Sequence, residues 1–112
     1  MAKPASRIHS RYGRDAARLL GLMIRDARID RHLTIAEAAE RAGVSRGLVH
    51  RVEGGDMGCS IGAVFELAAI VGLPLFDADQ ATLGAHLAAT RERLALLPRS
   101  VRPSGKAVKD EF

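Results

Sequence analysis

The stretch LTIAEAAERAGVSRGLVHRVEG, residues Leu33 to Gly54, decides the fold. Thr34 can cap a helix, and Glu37 three residues later completes a capping box, in which each residue accepts a backbone N–H from the other. Ile35, Ala38, Ala39 and Ala42 then share one face, and Gly43 supplies the left-handed stop. Ser45 caps a second short helix, Arg46 to Glu53, which ends at the Gly54-Gly55 pair. Between the two lies the tight turn Ala42-Gly43-Val44-Ser45. Val44 fits the angle between the helices, and Ala38 is small enough for them to approach closely.

Two helices of about two turns each, joined by a glycine-containing turn, make a helix-turn-helix. In the second helix Val49 and Val52 are three residues apart and face the core. Arg46, Gly47, His50 and Arg51 are left on the solvent side, the side that enters the DNA major groove in such a unit. An Arg there can bind guanine O6 and N7 together, worth roughly 1–3 kcal/mol of discrimination. His50 can donate to a base acceptor or a phosphate. Gly47 leaves room for a thymine methyl or a close backbone approach. Ser45 and Thr34, at helix N-termini where the dipole and free N–H groups favour an anion, are candidate phosphate contacts.

Outward from this stretch, Ala17, Leu20, Ile24, Ala27 and Ile29 recur at roughly helical spacing with Arg18, Arg25, Arg28 and Arg31 interleaved. They predict a helix from Arg14 to Arg31, weakened at Gly21. A fourth helix follows Ser60 through Val64, Leu67, Ala68 and Val71 to Gly72, before Leu73-Pro74 breaks the chain. From Asp79 to Leu97, Leu83, Leu87, Thr90, Leu94 and Leu97 recur at intervals of four and three, an a/d-like seam. That helix either packs on its own domain or forms a dimer through Leu83, Leu87, Leu94 and Leu97. The expected organisation is a loose basic arm over 1–12, a DNA-binding domain over 13–76, a C-terminal helix over 77–97 and a disordered tail over 98–112.

The composition agrees with an all-α fold. Of 112 residues 47% are hydrophobic, with no Trp, one Tyr and three Phe, so aliphatic residues and Ala must fill the core. Residues 1–60 hold 11 Lys/Arg against 7 Asp/Glu, which accounts for the whole net charge of +4. The basic excess thus sits with the helix-turn-helix, as contact with phosphate requires, although a solvated Arg-rich surface has the same composition. The single Cys59 excludes an intrachain disulfide and reads as a small buried hydrophobe packed against the core. His9, His32, His50 and His86 lack the spacing of a helical metal site. No metal, cofactor or catalytic constellation is expected, nor a secretory signal or membrane span, and a cytoplasmic location is the simplest expectation.

From about Leu20 to Leu75 the pattern IRxAR…LT…A…AGVS…V…VEGG…S…LAxxVGL resembles the phage repressor/Cro family of helix-turn-helix domains, often called XRE. The resemblance implies a five-helix repressor-like domain that binds a palindromic operator in double-stranded DNA as a homodimer. It also implies a structural ion pair between Arg28 and Glu53. The family usually carries Gln after the Leu-Thr pair, where it reaches a phosphate; here Ile35 stands there. Arg31, or the Gly55–Ser60 loop through the backbone N–H groups of Gly58 and Cys59, can supply the missing clamp. The leucine-spaced helix and the basic tail ending in Lys109-Asp110-Glu111-Phe112 resemble HipB-like antitoxins, which repress their own operon and pair with a HipA-like kinase toxin. A stand-alone phage or restriction-modification controller, and an interaction module that no longer binds DNA, are the alternatives.

Overall fold

The computed structural model describes residues 8–103, and within them the chain is all-α. Five helices follow in order: α1 (Arg11–Asp30), α2 (Ile35–Ala42), α3 (Arg46–Glu53), α4 (Ile61–Ile70) and α5 (Gln80–Ala95). The chain divides into two compact units, Met1–Asp77 and Ala78–Phe112. Residues 1–7 of the basic arm and 104–112 of the tail lie outside the described residues.

Local chemistry starts every helix. Ser10, Thr34, Ser45 and Ser60 stand in extended backbone, and their hydroxyls accept the N–H groups of Gly13, Glu37, Leu48 and Ala63. Each such cap is worth about 1 kcal/mol. Glu37 also accepts the Thr34 N–H at 2.8 Å, which closes the capping box. The four helices of the first unit also end alike. After α2, Gly43 at φ 71° lets its own N–H reach the Glu40 carbonyl, while the Val44 N–H reaches Ala39 at 3.0 Å. The same paired closure follows α1, α3 and α4, with His32, Gly55 and Gly72 in the left-handed position. His32 is the exception among these, a residue with a Cβ at φ 58°.

In the first unit α2 packs on α3 and α4, and α1 packs on α3. The core holds Ile24 from α1, Leu33 from the connection, Ala38 and Ala39 from α2, Val49 and Val52 from α3, and Leu67, Ala68 and Val71 from α4 and its end. Most of these side chains are small, so the helices meet through close backbone approach more than through bulk.

Three sequence expectations change here. The first helix begins at Arg11 instead of Arg14, because Ser10 caps it, so Arg11 and Tyr12 of the expected arm are helical. Ile29 is 51% exposed, because the core-facing position one turn after Ile24 is taken by Arg28. Gly21 is the contact point of α1 on α3, where a weak place in the helix was expected. A Cβ there would collide with the Val52 carbonyl oxygen and lie 2.9 Å from that of Glu53. The glycine costs helix propensity, and in exchange lets two backbones touch.

In the second unit Asp79 caps α5 by accepting the Thr82 N–H at 2.8 Å, and α5 has no buried side chain. Leu83 is half-buried while Leu87 and Leu94 are exposed. Leu97 falls beyond the helix, whose cap is Leu96, so the helical part of the seam ends at Leu94.

Gly21→Ala is expected to destabilise the domain by about 1–3 kcal/mol through overpacking, although alanine is the better helix former. Gly62→Ala in α4, with open space around the added methyl, should leave stability unchanged or raise it by up to about 1 kcal/mol. Thermal melts followed by circular dichroism check the opposite signs.

Candidate nucleic-acid interface

The geometry of α3 follows from which of its residues are pinned. Val49 and Val52 are buried and Leu48 and Glu53 half-buried, so that side of the helix is committed to the domain. At 100° per residue, Arg46, His50, Gly47 and Arg51 fall in that order around the remaining arc of about 140°. All four are exposed. The structure therefore brings the four expected base readers together as one contiguous surface.

The α3 face is held in place by Arg28 and Glu53. The Arg28 guanidinium donates from Nε to Glu53 Oε2 at 2.6 Å and from a terminal nitrogen to Oε1 at 3.0 Å. Its other terminal nitrogen donates to the Leu33 carbonyl at 2.8 Å. The two side chains are only 10% and 7% exposed. The hydrogen bond to Glu53 raises the Arg28 pKa above its ordinary value, against the opposing effect of burial, so the guanidinium stays charged. One planar fork thus ties α1, the α1–α2 connection and the end of α3 together.

Two capping hydroxyls stand at the N-termini of α3 and α2. Ser45 Oγ accepts the Leu48 N–H and Thr34 Oγ accepts the Glu37 N–H, both at 3.0 Å. Each hydroxyl keeps its own proton for an acceptor such as a phosphate oxygen. The bonds from Thr34, backbone first, hold the exposed Glu37 carboxyl below its ordinary pKa, so the box stays closed at neutral pH.

Of the other expected phosphate contacts, Gly58 is hydrogen-bonded within the protein and Arg31 is exposed. The Arg31 guanidinium lies against Gly72, in the turn that closes α4, where the partial negative charge of a helix C-terminus attracts a cation. The Gly58 N–H donates to Asp56 Oδ1 at 2.7 Å. Asp56 is a residue that sequence reasoning missed. It sits in the α3–α4 loop and also approaches Arg51 Nε at 3.7 Å, in an ion pair whose partners are about half exposed. An Asx-type turn is legible from Asp followed two residues later by Gly, but its pairing with Arg51 is not. Cys59 is half-buried and packs against the core. On α5, Leu83, Leu87 and Leu94 share a seam with Thr90, whose hydroxyl donates to the His86 carbonyl at 2.8 Å and so is satisfied within the helix.

A protein family described as a helix-turn-helix domain matches residues 19–81, more than half of the chain, and the chain belongs to that family. No curated protein and no solved structure matches it.

Arg28→Ala is expected to cost about 3–5 kcal/mol, because it leaves the Glu53 carboxylate buried without its partner and the Leu33 carbonyl without its donor. Replacing both partners together, Arg28→Met with Glu53→Leu, should cost less than the single change. Denaturant unfolding of the three proteins measures the difference. A single variant as stable as the parent would mean that the pair carries no structural weight.

Proposed function

We propose that this member of the helix-turn-helix family is a sequence-specific transcriptional repressor that binds a palindromic operator as a homodimer. The observation that carries the reading is the exposed arc of Arg46, Gly47, His50 and Arg51 on a helix whose opposite side is locked into the core. A rigid helix with a cationic, groove-sized face suits direct readout. In this reading Arg46 and Arg51 fork onto guanine edges and His50 meets a base acceptor or a phosphate. Gly47 admits a thymine methyl, and the Thr34 and Ser45 hydroxyls fix register on the backbone. The chain acts by binding and not by catalysis, with no cofactor, and its place is with the DNA in the cytoplasm.

The second unit supports a finer reading, in which the chain is the antitoxin of a HipBA-like pair. Leu87 and Leu94 present unpartnered apolar side chains on α5, suited either to the second subunit or to a kinase toxin. A stand-alone phage or restriction-modification controller would use the same DNA surface without the kinase.

Arg46→Ala or Arg51→Ala should abolish preference for the operator over random DNA of equal length while leaving the melting curve unchanged. Fluorescence anisotropy with both duplexes makes the comparison, and full retention of preference in both variants would remove these residues from the reading face. For the antitoxin role, co-expression with the adjacent gene should yield a stable complex with a kinase. A free repressor beside no such gene would leave the controller reading in its place.

A further inference from the structure

An open notch of about 390 Å³ lies between the first half of α1 and the end of α3, lined by Arg14, Asp15, Arg18, Gly54, Gly55 and Met57. It lies beside the loop that follows the reading helix. Arg51 approaches Asp56, and the preceding Gly55 packs so tightly on α1 that a Cβ there would lie 3.0 Å from Arg18 Cα and Cγ. The loop that follows the recognition helix therefore meets Arg51 through Asp56 and Arg18 through Gly55. Arg14 stands one helical turn before Arg18 on the same edge of α1.

The lining of the notch carries a net positive charge. Arg14 and Arg18 are exposed, and among the described residues neither is in a salt bridge. The one carboxylate in the lining, Asp15, leans to Arg11 at 3.9 Å. Of the phosphate clamps that the sequence suggested, the Gly58 N–H is held by Asp56, and the Arg31 guanidinium lies beside Gly72 at the end of α4.

We infer that Arg14 and Arg18 form a second phosphate-binding edge, which takes the DNA backbone beside the groove that α3 enters. The inference rests on the DNA-binding reading and extends it from α2 and α3 onto α1. The ligand chemistry is the phosphodiester, held by two charge-assisted contacts that carry no sequence information.

The test uses the full chain, an operator duplex and a random duplex of the same length, with affinity measured against salt. For Arg14→Gln with Arg18→Gln, the log–log slope should become shallower by about 1.8, since each neutralised phosphate contributes about 0.9. Affinity for both duplexes should fall by the same factor, with the thermal melt unchanged. Arg14→Lys with Arg18→Lys should retain the parental slope, because a point charge suffices. A Gln variant with the parental slope overturns the inference and leaves both arginines as solvated side chains. A loss confined to the operator overturns it as well, since that is base reading. The failure of the wider reading looks different: the parent protein itself would then show no salt-dependent binding to either duplex.

Discussion

The first unit depends on one buried guanidinium. Arg28 is a charge placed where α1 would otherwise carry an aliphatic side chain, and it is tolerated because all three edges of its fork have acceptors: two Glu53 oxygens and the Leu33 carbonyl. A buried ion pair adds little net stability over a well-packed apolar pair, but it is directional. It fixes how the end of α3 stands against α1, which apolar contacts among alanines and valines cannot do alone. Gly21 acts at the same crossing. Its missing side chain lets α1 lie on the Val52 and Glu53 carbonyls, so the ion pair and the backbone contact define one geometry together.

That geometry gives α3 its use. A helix of eight residues has little stability alone, and here it is fastened at three places: by Ser45 at its start, by Val49 and Val52 along its length, and by Glu53 at its end. What remains is a surface with a defined orientation. The capping hydroxyls have a second capacity in the same place, since they stabilise the helix as acceptors and can still donate to an anion. Asp56 works in the other direction. It offers Arg51 an intramolecular anion, one that any phosphate or base edge must displace. Exposed pairs of this kind are weak, so the arginine is held without being withdrawn from binding.

The second unit is built differently. α5 is rich in alanine, begins at a well-formed Asp79 cap and buries none of its side chains. Its order is local, from helix propensity and capping, while Leu87 and Leu94 remain exposed. Spacing alone reveals the seam but not its occupant, because an a/d pattern of two to three heptads serves a neighbouring domain, a second subunit or a different protein equally well.

The start and stop signals of α2, α3 and α4 are readable in the sequence because the bonds that make them span three to five residues, whereas the Ser10 cap and the left-handed His32 of α1 are not. The capping box of Thr34 and Glu37, the left-handed Gly43 and the exposed arc of α3 all follow from local spacing. Contacts between distant segments were not legible. Gly21 has the same identity whether it weakens a helix or seats one on another, and only the carbonyls of Val52 and Glu53, some thirty residues away, decide which. That Arg31 lies beside the Gly72 turn, about forty residues on, is likewise visible only in the fold. Arg14 and Arg18 look like any solvated arginines until the α3–α4 loop is laid beside them. The sequence by itself determined the helices and the helix-turn-helix, because hydrogen bonding and periodicity are local. Only packing sets that Arg28 is paired with Glu53 and that Arg14 and Arg18 line a notch beside the α3–α4 loop, because that depends on which distant segments come within reach.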